Sequence, residues 1–468
     1  MPPSTRSKSF QASAADIRMN KLPPEPDQDD HTSKDQGIYR VLGYGKPKRL
    51  PVYTIDLSLP PENRYVEVAA KHQTDLKRLT STLDELLEQL RIPKKMFHVL
   101  AWIFLRRLYS EEHTRELRGI QETIGLPMYL LIAYNVLLDL LMGCTSGGIL
   151  VNDTCTMRKP RMMHFRTLDW EMPELRDLLA VFKFVDKPGG EVIATTVGYV
   201  GFVGVLTGVR KNLSLSLNFR PYHNDDTSKW ANLKFYFHLL LVLLGFRPSI
   251  PSHLRDFLLP RTQPADPANA HGTMYKPAMT ILARPSHNLS DIAHDFPSVP
   301  TTAAYLTFCS GTRTIVLEKD HVTAKILSST DFLTVTNHDI SDEITHSTED
   351  AQKSLTEHAQ QHSLPPGMDE IIAESLGRKN CLQQRWENYC TISWNSMQSW
   401  KYDDRVVVSV ALLRAWMHDT VVGPRTHFLT IMDPETGTLE DVVGYRDPNE
   451  EKRLAREMRR RWEEWAGP

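Results

Sequence analysis

Cys144-Thr145-Ser146 is the segment of this sequence best placed to supply a nucleophile. It lies where a helical stretch gives way to a strand-rich one, with Met142-Gly143 leading in. A cysteine alone is most often a small buried hydrophobe. Its neighbours change that reading. His164-Phe165-Arg166-Thr167-Leu168-Asp169 follows at a distance that suits one β-hairpin, which returns Arg166 and Asp169 to the start of the first strand. By themselves Arg166 and Asp169 would be a structural ion pair; beside Cys144 they are candidate site residues. A glycine-dense stretch at 201–208 and a strand ending Leu217-Asn218-Phe219-Arg220 come next, and glycine in strands permits close backbone approach. Other chemistries lack their signatures. The 18 histidines are scattered, with no CxxC and no His-Glu-x-x-His. There is no glycine-rich phosphate loop ending in Lys-Ser/Thr and no Gly-x-Ser-x-Gly. No metal and no cofactor is therefore expected. Cys155, Cys309, Cys381 and Cys390 read as structural or reduced thiols.

The elements that must position these residues can be traced along the chain. Residues 50–59 read as a strand that Pro60-Pro61 ends, and residues 63–142 as helical. Leu79, Leu83, Leu86, Leu87 and Leu90 recur on one helical stripe, and Pro127 suits the first position of a helix. Strands are expected at 149–152, 162–167, 191–197, 201–206 and 213–218. The last alternates Leu and Ser, the pattern of a strand with one buried face. Residues 228–258 read as helical and 262–275 as a loop. Further strands are expected at 303–308, 314–318, 332–336, 405–410 and 426–432. Residues 341–370 are polar and poor in aromatics, as in a long mobile insertion. The dense charge run at 449–465 suits an amphipathic helix.

Composition sets outer limits. A chain of 468 residues suggests two to four domains. A hydrophobic share of 41% with 24% charged residues suits a large core. Basic and acidic side chains number 55 and 57, a balance that argues against a nucleic-acid-tracking surface. Five cysteines in so long a chain are not the disulfide framework of a small secreted domain. Residues 1–37 read as a disordered tail. No apolar run follows Met1, so no signal peptide is visible and the sequence alone suggests an intracellular protein. No segment reads as a membrane span. The runs 128–142 and 235–246 suit buried core segments. Residues 96–108, flanked by Lys94, Lys95, Arg106 and Arg107, suit either a core helix or one that touches lipid.

Several landmarks recur in a known order. Val52-Tyr53-Thr54-Ile55-Asp56-Leu57 with Leu59-Pro60-Pro61 precedes Tyr134-Asn135, Asp139, Cys144-Thr145-Ser146 and Arg166-x-x-Asp169. Gly204-Val205-Leu206-Thr207-Gly208 and Thr336-Asn337-His338-Asp339 follow. Together, over roughly residues 40–440, they resemble the acid ceramidase and N-acylethanolamine acid amidase family. That family belongs to the cysteine branch of the N-terminal nucleophile hydrolases, with bile salt hydrolases and penicillin V acylases. Thr167 and Leu168 replace the middle pair of the family's Arg-Asn-Met-Asp motif.

The resemblance implies an α+β fold, an αββα sandwich with a helical N-terminal region. Residues 38–143 would be that region, alpha-subunit-like. Residues 144–445 would be the catalytic domain, with a mobile insertion near 341–370, and 446–468 a charged C-terminal helix. It implies self-cleavage between Gly143 and Cys144, eased by Gly143, after which the new α-amine acts as the base for the thiol. Asp169 would accept hydrogen bonds from that amine, and Arg166 would favour the thiolate. Asn337 is the expected oxyanion donor, Asn218 the second candidate, and Arg378 the expected second arginine. The implied partner is a lipid amide such as ceramide, with N-acylethanolamine as the rival substrate and a non-catalytic lipid-binding relative as the rival class. Peripheral membrane contact and a lysosomal or vacuolar compartment are implied too. Two departures stand out. Phe219 occupies the place of a family glutamate. No cysteine precedes Cys144, so the fragments would associate without a disulfide.

Overall fold

The protein is described from a computed structural model that covers residues 45–89, 91–137, 143–152, 159–221, 228–264, 279–283, 287–340, 368–395, 401–402 and 405–450. The expected tail, all but the last three residues of the insertion expected at 341–370, and the charge run expected at 449–465 beyond residue 450 lie outside the described residues; residues 368–370 open a helix instead.

The chain opens with β1 (Pro47–Lys48) and β2 (Val52–Asp56), and Pro61 starts a short 3-10 turn, Pro61–Asn63. Helices Val66–Lys71, Gln73–Lys77, Leu79–Gln89, Lys94–Phe104, Glu111–Ile124 and Met128–Leu137 follow. Local chemistry sets their ends. The Ser110 side chain accepts from the His113 amide, Glu111 and Glu112 occupy the first turn, and Gly125 closes that helix at φ 75°. Pro127 stands immediately before Met128–Leu137, within one residue of its expected place.

Next come β3 (Gly143–Val151), β4 (Arg161–Asp169), β5 (Leu179–Val185), β6 (Val192–Tyr199), β7 (Thr207–Arg210) and β8 (Leu213–Phe219). Helices Lys229–Leu243 and Ile250–Leu258 lead to β9 (Arg261–Pro264) and β10 (Met279–Ala283), which pair with each other. After helix Leu289–Asp295 come β11 (Ala304–Cys309), β12 (Thr314–Lys319), β13 (Ala324–Ser329) and β14 (Phe332–Val335). The long helix Met368–Asn395, the small pair β15 (Lys401–Tyr402) and β16 (Arg405–Val406), and helix Val410–Thr420 precede β17 (Thr426–Asp433) and β18 (Thr438–Tyr445).

Two large sheets form the body. One runs β1-β18-β17-β4-β3-β14, the other β13-β12-β11-β8-β7-β6-β5-β2, and every pairing is antiparallel except β2 with β5. Helices Met368–Asn395 and Val410–Thr420 cover the first sheet, with Leu382, Leu413 and Met417 packed near Ile149, Met163 and Phe165. Helix Ile250–Leu258 covers the second, where Leu258 lies over Gly208. The layers are therefore helix, sheet, sheet, helix, an α+β sandwich of the expected kind. The N-terminal region is not merely helical: β1 edges one sheet and β2 edges the other.

Other expectations change. Residues 201–206 form a turn, not a strand; Gly201 sits at φ 86°, and Asn135 binds the Gly201 carbonyl and the Val203 amide. Only Arg405–Val406 of 405–410 is strand, because Ser409 caps a helix that begins at Val410. β8 is buried on both faces, not one. Its serines face the other sheet and its leucines lie under the helices. Residues 128–137 do form a buried helix, with Leu130, Leu131, Ile132 and Ala133 inside. The run at 235–246 does not: Tyr236, Phe237, Leu240 and Phe246 are exposed. The core reading of 96–108 fails as well, since Met96, Val99, Leu100, Trp102, Ile103 and Phe104 are exposed. Among the described residues, no helix is long and apolar enough to cross a membrane.

Candidate active site

Period-two geometry aims alternate side chains of a strand at one face. In β3, Cys144 and Ser146 point into the layer between the sheets, and in β4 His164 and Arg166 do the same. The register sets Gly143 opposite Asp169 and Ser146 opposite Arg166, the hairpin return expected from spacing. From the facing sheet, β8 contributes Ser214, Ser216 and Asn218.

Cys144 is fully buried. Its sulfur lies 3.4 Å from Arg166 Nη2 and 4.0 Å from the Leu217 carbonyl oxygen. Burial pushes the thiol up in pKa; Arg166 pulls it down, Asp169 pushes it up and Arg378 pulls it down. The Arg166 guanidinium donates from Nη1 to Asn218 Oδ1 at 3.0 Å and to Ser146 Oγ at 3.4 Å. Asp169 accepts from Thr426 Oγ1 at 2.6 Å and faces Arg378 Nη1 at 4.0 Å. Burial raises its carboxyl, while Arg378 and the Thr426 hydroxyl act against that.

The backbone amide of Cys144 donates to Asn337 Oδ1 at 2.7 Å, and Arg378 Nη2 donates to the same oxygen at 3.1 Å. Two converging donors fix which end of the Asn337 amide faces the cysteine. Its Nδ2 donates to the Phe219 carbonyl at 2.7 Å. Ser375 Oγ holds the Asn337 backbone amide at 2.5 Å, and Arg220 with Tyr305 holds Asp339 two residues on. Gly143 lies in the extended strand, so its value is not a left-handed backbone. A Cβ there would sit 3.3 Å from Asp169 Cβ and 3.8 Å from Arg378 Nη2.

Residues 48–108 match the family model described as the beta subunit of N-acylethanolamine-hydrolyzing acid amidase. Acid ceramidase of Mus musculus is 28% identical over 188 residues, 36% of this chain and 46% of the relative. The N-acylethanolamine-hydrolyzing acid amidase of Caenorhabditis elegans is 29% identical over 189 residues, 38% of this chain and 49% of the relative. These matches support a relationship to the acid ceramidase and N-acylethanolamine acid amidase family.

An uncharacterised protein of Acanthamoeba polyphaga mimivirus is 26% identical over 188 residues, 40% of this chain and 55% of that one. The chain spans about half the length of the curated relatives it matches. A solved Caenorhabditis elegans ortholog of the amidase aligns at TM-score 0.36 and 14% identity, covering 62% of this chain and 93% of that one. The matched subunit model ends before Cys144, and it names as beta the stretch that the family resemblance suggested was alpha-like.

The six residues that the resemblance implied converge: Cys144, Arg166, Asp169, Asn218, Asn337 and Arg378 are linked through the contacts above. Two orientations differ from expectation. Asn337 presents its carbonyl oxygen, not its N–H, to Cys144. Asn218 Nδ2 donates to the Thr336 and Val335 carbonyls at 3.1 and 3.3 Å, so it braces the segment that carries Asn337. Ser146, Ser214, Ser216, His164 and Thr426 acquire places in the network that residue type alone did not suggest. The one available signal was the Leu-Ser alternation of β8.

Proposed function

We propose that this chain is a cysteine amidohydrolase that cuts itself between Gly143 and Cys144 and then hydrolyses a lipid amide, a ceramide-type N-acylsphingosine, to a fatty acid and an amine base. The observation that carries this reading is the grip on the scissile peptide. Asn337 holds the Cys144 N–H while Arg166 lies against the Cys144 sulfur.

In self-cleavage, the Cys144 sulfur bonds to the Gly143 carbonyl carbon, and the Gly143–Cys144 C–N bond breaks. The thiol proton ends on the departing nitrogen. Water then hydrolyses the thioester, which leaves a Gly143 carboxylate and a free thiol. The new α-amine has an ordinary pKa near 8 and can take the thiol proton in each later turnover. Asp169, opposite Gly143, would steady that amine. Asn337 already accepts from the same nitrogen as an amide and would go on accepting from it as an amine. An oxyanion role for Asn337 requires its Nδ2, now on the Phe219 carbonyl, to turn toward the substrate once the chain is cut.

Intact mass decides the first step. Fragments 1–143 and 144–468 are expected from the native chain, and a single uncut chain from Cys144→Ala. Persistent intact wild-type chain at acidic and neutral pH, without amidase activity, would sink the reading. The rival substrate is an N-acylethanolamine, and Phe219 stands next to Asn218 where the resemblance implies a glutamate, a change at the place that would meet the substrate headgroup. Turnover of both amides side by side separates the two.

A bilayer is the proposed source of substrate. Helices Lys94–Phe104 and Lys229–Leu243 expose Trp102, Phe104, Trp230 and Phe237, among other large apolar groups. Exposed Lys94, Lys95, Arg106 and Lys234 lie among them. Arg107 lies over the Phe246 ring at 5.3 Å, which brings the ends of the two helices together. Apolar area rimmed by basic charge suits an anionic lipid surface. Cosedimentation with vesicles containing an anionic phospholipid is expected, and the double variant Trp102→Ser/Phe237→Ser should weaken it severalfold. Equal sedimentation of both proteins would contradict this surface.

A further inference from the structure

The layer between the sheets holds a chain of side chains that ends at the arginine beside Cys144. His164 is fully buried. Its Nδ1 lies 2.9 Å from Ser214 Oγ and its Nε2 lies 2.9 Å from Ser216 Oγ. Ser216 Oγ donates to Ser146 Oγ at 3.0 Å, and Ser146 Oγ donates to Asn218 Oδ1 at 2.6 Å. Arg166 Nη1 donates to that same oxygen.

The direction of the chain follows from what each atom can do. Asn218 Oδ1 only accepts, so the Ser146 proton points at it. Ser146 then accepts from Ser216, whose own proton is thereby used. Ser216 must accept from His164, which places the imidazole proton on Nε2. Nδ1 is left to accept from the Ser214 hydroxyl. The ring has to be neutral for this, and burial, helped by nearby Arg166, pulls its pKa down to about 3.

We propose that His164 is a positioning residue: through Ser216 and Ser146 it holds the Asn218 carbonyl oxygen toward Arg166, and so sets the guanidinium against the Cys144 sulfur. A one-directional chain leaves Ser146 a single way to point. Without the imidazole, Ser216 and Ser146 can reverse, and Asn218 Oδ1 loses one of its donors. Buried networks of this sort are costly when only partly satisfied, so the break is felt at the far end. This inference deepens the amidohydrolase reading and rests on it for the meaning of Arg166.

Three variants of the full chain test it. His164→Leu removes both ring nitrogens, Ser216→Ala breaks a different link, and His164→Gln keeps an N–H donor beside Ser216. The first readout is the pH midpoint of Cys144 ionisation. It is taken from thiolate absorbance near 240 nm as the difference from the matching Cys144→Ala protein. The midpoint should move to higher pH in His164→Leu and Ser216→Ala and return toward wild type in His164→Gln, because a displaced cation favours the thiolate less. The second readout is the rate of self-cleavage. It should fall by about a hundredfold in the first two variants, the scale of a small misplacement at a reacting centre, and recover in part in the third. Wild-type midpoints in both His164→Leu and Ser216→Ala would overturn the proposal. If His164→Leu does not fold, Ser216→Ala decides alone. If the wild-type chain is never cut, the amidohydrolase reading fails, while the thiol titration still settles whether His164 positions Arg166.

Discussion

Arg166 is a fully buried cation whose recorded partners are a thiol, an amide oxygen and a hydroxyl. Among the described residues, no carboxylate lies within ion-pair distance of it. Burial lowers its pKa, and the first influence against that is Cys144. A charge held away from water without a matched partner costs stability, and such costs are kept where chemistry needs them. Arg166→Met should therefore abolish self-cleavage and leave the urea unfolding midpoint equal or higher. A clearly lower midpoint would show that the guanidinium is a net stabiliser and that its burial needs no functional reason. At this scale the sequence was most legible. Six residues separated by as much as 234 positions meet, since 378 − 144 = 234. The orientation of the two asparagines was not legible. A side-chain amide has a donor end and an acceptor end of the same shape, and only its neighbours in space choose between them.

The elements that carry the site are tolerant in some places and not in others. β3 is fully covered from Cys144 to Val151, and Gly147 and Gly148 lie where neighbouring strands press closest. A Cβ on Gly147 would meet the Leu333 carbonyl oxygen at 2.1 Å and Phe165 Cζ at 2.5 Å. The Leu333 contact is backbone of the paired strand β14, which cannot move aside without breaking the ladder. Gly147→Ala should cost about 1–3 kcal/mol, the usual range for overpacking. Gly377, in the middle of helix Met368–Asn395, has nothing within 4 Å of such a Cβ. Gly377→Ala should stabilise by about 0.5–1 kcal/mol. Denaturant midpoints moving the same way in both variants would contradict the contrast. Element type was legible where period and length agreed, as in β4 and β17, whereas β3 begins at Gly143, six residues before the strand expected at 149–152. It failed where tertiary partners decide. The Leu-Ser alternation of β8 marks two buried faces, one of them a polar seam. The apolar helices at 94–104 and 229–243 look like core from composition alone, yet much of their apolar surface is exposed.

Across the whole molecule, the stretch before Cys144 is woven into the rest. β1 and β2 edge different sheets, and buried Glu116 accepts from Arg64, which also precedes Cys144, and from Arg255, which follows it. Two fragments would thus stay together by packing and a buried charge cluster. The same close packing has a consequence for acid. Burial holds His113 and His427 well below the ordinary histidine pKa and His164 down to about 3, and burial with nearby His321 and Arg247 holds His238 to about 4. In the unfolded chain each would titrate near 6.5. Between pH 6.5 and about 4 the unfolded state therefore binds more protons, and stability falls as pH falls. Each fully buried histidine contributes up to about 1.4 kcal/mol per pH unit in that window. Asp169 and Glu318 work the other way, because burial raises both and favours the folded state as they protonate. The histidines outnumber them, so the unfolding free energy by urea at 25 °C should be lower at pH 5 than at pH 7. His113→Phe, which removes one proton acceptor from the unfolded state, should flatten that dependence. Equal or greater stability of the native chain at pH 5 would mean that these rings do not stay neutral in the fold, or that the buried carboxyls dominate its response to acid.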